Sequence, residues 1–168
     1  MYPLLLLFLE ITAFRKGPQD VPAWLLAWVM PVYVLINLAI LLMSSEWAMA
    51  LLQVAVDFGL LVGFSWPLLF FSGKPARFKQ TLIALIGTDA VINFFALPAV
   101  ASLNNEATDL GFFAMLVLMI WHWLVTGHIF RHALDRPFAF GLALAFLYLL
   151  ISSQVMGILF PVMMPVEG

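Results

Sequence analysis

The chain has 168 residues, 65% of them apolar and 10% charged, with a mean hydropathy of +1.10. Soluble domains carry roughly 45–50% apolar and about 25% charged residues, so this composition excludes a water-covered surface and with it a soluble enzyme. A net charge of -2 supplies no basic field for nucleic acid, and the absence of cysteine excludes disulfides, thiolate catalysis and cysteine-ligated metal.

The chain opens on the apolar run Leu4-Leu5-Leu6-Leu7-Phe8-Leu9. Its charges, Arg15 and Lys16, follow the run, and it has no basic n-region or small-residue cleavage site, so it does not read as a signal peptide. Residues 1–14 make about 21 Å of helix, too short to cross a bilayer. The expectation for residues 1–16 is a retained helix in the cytoplasmic interface with Arg15 and Lys16 at the headgroups, or one docked on the bundle or on a partner. Gly17-Pro18-Gln19-Asp20 turns the chain, and Asp20 and Pro22 suit the start of a helix.

Five apolar runs near the spanning length of about 20 residues follow, at about 21–43, 47–71, 81–102, 110–130 and 137–161. The polar gaps between them are short, as in antiparallel helical neighbours. Strands are excluded because a spanning strand is about 9–11 residues and alternates in polarity. The expected fold is all-α: one membrane domain over 1–168, a bundle of five transmembrane helices plus the N-terminal interfacial helix.

All seven Lys and Arg fall before the first span (Arg15, Lys16), between the second and third (Lys74, Arg77, Lys79), or between the fourth and fifth (Arg131, Arg136). The other loops and the tail carry Glu46, Glu106, Asp109 and Glu167. The positive-inside rule then places the N-terminus in the cytoplasm and the C-terminus outside. The expected location is a membrane, crossed several times.

Ionisable groups inside a membrane are costly and mark functional sites by default. At ~1.5 Å per residue, Asp89 and His122 fall about 14 Å from the cytoplasmic ends of their spans, with Tyr148 near that level. Asn37, Asp57, Ser152, Ser153 and Gln154 form a second layer at roughly 22–25 Å. Asn93 lies one turn from Asp89, and Gln53 one turn from Asp57. Two readings follow. Asp89–His122 relays a proton and the outer layer coordinates an ion or a lipid headgroup, or these groups hydrogen-bond across helices and fix the packing. With no Lys, Arg or His at its depth, Asp57 must be neutral, hydrated from outside, or surrounded by amide and hydroxyl donors.

His122, His128 and His132 share one span, and His128 and His132 are one turn apart. A haem or metal in a bundle draws ligands from facing helices, so no cofactor or metal is expected. His128, Arg131, His132 and Arg136, with Lys74, Arg77 and Lys79, read instead as interface anchors for anionic lipid. Gly59-Leu60-Leu61-Val62-Gly63 permits close helix approach, and Pro67 and Pro98 suggest kinks. Five spans do not divide into the two equal inverted repeats of many transporters. No GxSxG, HExxH or phosphate-binding glycine loop occurs, so no catalytic residue is assigned and a non-enzymatic protein is expected.

Three stretches, Arg15–Pro22, Ala76–Thr88 and Gly127–Leu134, in this order and within a five-span layout, resemble small bacterial inner-membrane proteins of the Yip1 type. The resemblance implies five spans, N-terminus inside, and a non-enzymatic role. The trafficking role of the eukaryotic relatives does not carry over, because the long cytoplasmic N-terminal region is missing from this sequence. The expected function is association with itself, with lipids, or with a membrane-protein partner in a larger complex. The alternative is a small transporter or proton-coupled factor using Asp57, Asp89 and His122. An internal water-filled cavity joining those residues to one membrane face favours the alternative; a dry interior with every polar group satisfied favours association.

Overall fold

A backbone in lipid must satisfy its own N–H and C=O groups, which a helix does within one segment. The computed structural model describes residues 2–105 and 108–161, so Glu106 and Glu167 lie outside the described residues. Its helices are α1 (Tyr2–Thr12), α2 (Leu26–Leu41), α3 (Trp47–Phe71), α4 (Phe78–Asn105), α5 (Asp109–Leu134) and α6 (Phe138–Leu159). Five segments are long and apolar enough to cross a bilayer: Ala23–Leu41, Trp47–Phe71, Pro75–Leu103, Asp109–Leu134 and Phe138–Leu159. The all-α five-span bundle is present. The first span differs at its start, where residues 18–20 and 23–25 form 3-10 turns instead of α-helix. Pro31, Pro67 and Pro98 lie inside α2, α3 and α4, which continue through them.

The centre of the bundle is α4. Its apolar window is 61% buried, against 11–22% for the other four spans. Helices α2 and α5 pack on α4, α6 packs on α5, and α3 closes the bundle against α2, α4 and α6. In lipid such packing depends on close approach rather than on apolar burial. The close approach is made at Gly127 and Gly141, not at the expected Gly59 and Gly63. A Cβ on Gly141 would run into the Gly127 carbonyl oxygen and stand 2.9 Å from the Arg131 nitrogen, whereas nothing lies within 4 Å of one at Gly59 or Gly63. The Trp123 indole also donates across this seam to the Leu142 carbonyl, at 3.0 Å.

The N-terminal helix takes the docked alternative, which corrects the picture of a helix lying free in the interface. The Phe8 ring occupies the space a side chain at position 87 would fill, and Ile11 and Thr12 are buried. The Trp121 indole, midway along α5, donates to the Thr12 carbonyl at 3.1 Å. Phe14 then takes a left-handed backbone (φ 61°) that turns the chain out of α1. It stands edge-on to His128 at 5.1 Å, and His128 Nε2 lies 3.0 Å from the Lys16 carbonyl oxygen. His128 is therefore an interior residue and not an interface anchor, because the returning chain covers it.

Lys74 and Arg77 also depart from the expected lipid-facing role. Both reach the end of α5, where the last carbonyls lack helical partners. Lys74 Nζ donates to the Leu134 carbonyl at 2.6 Å and Arg77 to those of His132 and Ala133 at 3.2 and 3.3 Å. The same two cations bind Asp135 Oδ2, at 2.6 and 2.9 Å. Asp135 caps α5 in the left-handed conformation (φ 51°), one that Asp tolerates better than most residues. Arg15, Lys79, Arg131 and Arg136 stay exposed, with Arg136 over the Phe140 ring at 5.9 Å. His132, half-buried, packs against the His128 ring at 4.5 Å.

Two outcomes follow. Gly141→Val should lower the thermal midpoint of the detergent-purified protein, at a cost of about 1–3 kcal/mol or more for overpacking, while Gly59→Val should leave it unchanged. Secondly, Arg77 first and then Lys74 hold the Asp135 carboxyl below its usual 3.8, at about 2. A depressed carboxylate stabilises the fold above its unfolded pKa and loses that contribution as pH falls through the folded one. Asp135→Asn, which keeps the left-handed turn, should thus melt below wild type at neutral pH, and the gap should close as pH drops from about 4 to about 2.

Candidate functional site

Residues Tyr33 and Asn37 are one turn apart on α2, as are Asp89 and Asn93 on α4, so each pair presents one face to the other helix. Measured from the true α-helical starts, Leu26 and Phe78, Asn37 and Asp89 both lie about 16 Å along. The two-layer picture is corrected accordingly. Asn37 belongs with Asp89, because residues 21–25 do not advance the chain as α-helix. The Asn37 amide nitrogen donates to Asp89 Oδ2 at 3.1 Å and to the Tyr33 carbonyl at 3.0 Å. The Asn93 amide nitrogen donates to Asp89 Oδ2 at 2.9 Å and to Asn37 Oδ1 at 3.1 Å. All four amide N–H groups are thereby used, two of them on one carboxylate oxygen.

The other Asp89 oxygen, Oδ1, faces His122 Nδ1 of α5 at 3.5 Å. That distance suits an ion pair but is long for a hydrogen bond. It leaves the imidazole and carboxylate near enough to pass a proton after a small approach. His122 keeps 32% of its side chain accessible and Asp89 17%.

Asp57, on α3, finds the hydroxyl donor its depth demands in Tyr33, whose Oη donates to Oδ2 at 2.7 Å. Sequence reasoning missed Tyr33. Its signal was available, since a tyrosine one turn from Asn37 sits in mid-span, away from the interfacial belt where tyrosine gathers. Tyr33 is only 1% exposed, and its carbonyl and hydroxyl link Asn37 and Asp57. One turn of α2 thus connects both carboxylates.

Between these groups lies a cavity of about 240 Å³, lined from all five spanning helices. Asp57, Asp89, His122 and Tyr148 face it, with Tyr33 and Trp123 among its walls. Leu61, Leu85, Thr126 and Ala145 line its side toward the basic end, where Ile83, Ile129 and Phe130 are fully buried. Toward the other end it reaches Ser152 and the exposed Ser153. No Lys or Arg is among the lining residues.

The remaining predicted members scatter. Tyr148 lines the cavity and packs on Phe64 at 5.4 Å, while the amide donors to Asp89 are the two asparagines. Ser153 donates to its own helix at the Leu150 carbonyl, 2.9 Å away. Gln154 is exposed and outside the cavity. Gln53 is also outside it, and its Oε1 is buried with no hydrogen-bond partner among the described residues. No group of three or more His, Asp or Glu suited to a metal ion occurs among the described residues.

The Tyr33–Asp57 bond predicts a measurable coupling. Tyr33→Phe should cost about 1–3 kcal/mol by leaving a buried acceptor without its donor. The cost should shrink in an Asp57→Leu background, and a double-mutant cycle on thermal or denaturant midpoints isolates the difference.

Compared with family models, curated proteins and solved structures, the chain matches none.

Proposed function

We propose that this integral membrane protein is a small, non-enzymatic, proton-coupled carrier in a bacterial inner membrane. Its solute enters the cavity, and Asp89 with His122 handles the proton. The carrying observation is the polar cavity itself. A bundle that needed only to pack would close such a space with apolar side chains. Placing two carboxylates and an imidazole around it adds the cost of ionisable groups at depth.

The orientation belongs to the same reading: N-terminus and basic loops in the cytoplasm, C-terminus outside, as in the Yip1-type layout the sequence resembles. The cavity is then sealed toward the cytoplasm and reaches outward at Ser152 and Ser153. A second reading, association with itself, lipids or a membrane-protein partner, is favoured by the open space beside Gly59 and Gly63 on α3. It gives the cavity no task.

Proteoliposomes loaded with a pH-sensitive dye, under a potassium–valinomycin potential negative inside, test the carrier. Proton entry should run several-fold faster than in protein-free vesicles. Asp89→Asn should abolish the excess while still eluting as a monodisperse protein, since the amide keeps a hydrogen bond without the charge. Entry no faster than in empty vesicles, or an Asp89→Asn variant that conducts like wild type, would overturn it.

A further inference from the structure

The two carboxylates of the cavity are not equivalent. Asp89 is engaged at both oxygens, by two asparagine amides on Oδ2 and by His122 at Oδ1. Asp57 has one hydrogen-bond partner among the described residues, the Tyr33 hydroxyl on Oδ2. His122 is the sole basic side chain lining the cavity, and it pairs with Asp89. Asp57 therefore faces a shared space with no counter-charge of its own. A carboxylate at membrane depth calls for donors, water or a cation around it, and the cavity beside Asp57 has room for the last.

The walls restrict which cation fits. A bare metal ion needs a tight set of oxygen ligands, yet no cluster suited to a metal occurs among the described residues. Aromatic rings are plentiful instead: Tyr33, Trp123 and Tyr148 all line the cavity, and ring faces attract ammonium groups that have shed water. A space of about 240 Å³ corresponds to roughly eight water volumes at about 30 Å³ each, enough for an amine of modest size.

Resting on the carrier reading, we infer that the cavity takes a small organic cation, with Asp57 as its counter-charge and the aromatic rings as its walls. Asp89 from α4 and His122 from α5 line the same cavity, but they face each other at 3.5 Å, which leaves Asp57 as the carboxylate open to the cation.

Benzyltrimethylammonium is a suitable probe, because it carries a fixed charge and no proton of its own. Calorimetric titration of the full-length protein in detergent reads binding without any need for transport. Benzenesulfonate, of similar size and opposite charge, should not bind. Asp57→Asn should weaken binding at least tenfold, while Asp57→Glu restores it in part. Gln154→Ala, outside the cavity, serves as the control for handling.

Absence of binding at millimolar probe or equal binding of benzenesulfonate would each overturn the inference. So would full affinity in Asp57→Asn. The two readings fail separately. Proton entry without cation binding removes the cation and leaves the carrier, whereas cation binding without proton entry removes the carrier and leaves a cation-binding membrane protein.

Discussion

The Asp89 carboxylate sits on α4, the most deeply buried of the spanning helices, and must be satisfied where water is scarce. Its solution ties three helices together. Asn37 reaches it from α2, Asn93 from one turn along α4, and His122 stands opposite on α5. Because lipid is as apolar as the side chains it would replace, burying leucine does little to choose one helix arrangement over another. Directional bonds to a costly group do choose. They set how far α2 is rotated about its axis, and that rotation carries Tyr33 to Asp57.

Backbone proximity is the second organising term. Gly127 and Gly141 let α5 and α6 approach so closely that a methyl group would collide. At Gly87, the missing side chain admits the Phe8 ring and so fixes α1 against α4. These contacts surround the end of the bundle where the cations gather. There Lys74 and Arg77 neutralise both Asp135 and the open carbonyls of α5. This end is therefore tightly closed by packing, aromatic contacts and charge pairing together.

The opposite half is looser, and the polarity lies there. Asp57, Ser152 and Ser153 flank the cavity on the side away from the sealed end. The two carboxylates differ in their surroundings. Asp89 is engaged at both oxygens, while Asp57 has one hydrogen-bond partner among the described residues.

Much of the architecture was legible in residue order. Runs of apolar residues near the bilayer thickness determined five helices, since no other backbone form is satisfied in lipid, and the grouping of Lys and Arg determined which loops share an end. Depth was legible as well, at ~1.5 Å per residue, and it put Asp89 and His122 at one level. It failed for Asn37 because the spanning α-helix begins at Leu26 and not at residue 21, which moves the origin of the count. Azimuth was not legible: one residue turns a side chain by about 100°, and only contact with neighbouring helices selects the turn. Hence the Tyr33–Asp57 bond, the choice of Gly127 and Gly141 over Gly59 and Gly63, and the inward placing of His128 were decided by the tertiary structure. The cavity belongs there too, because a space lined from five helices is a property of all of them at once and of no segment alone.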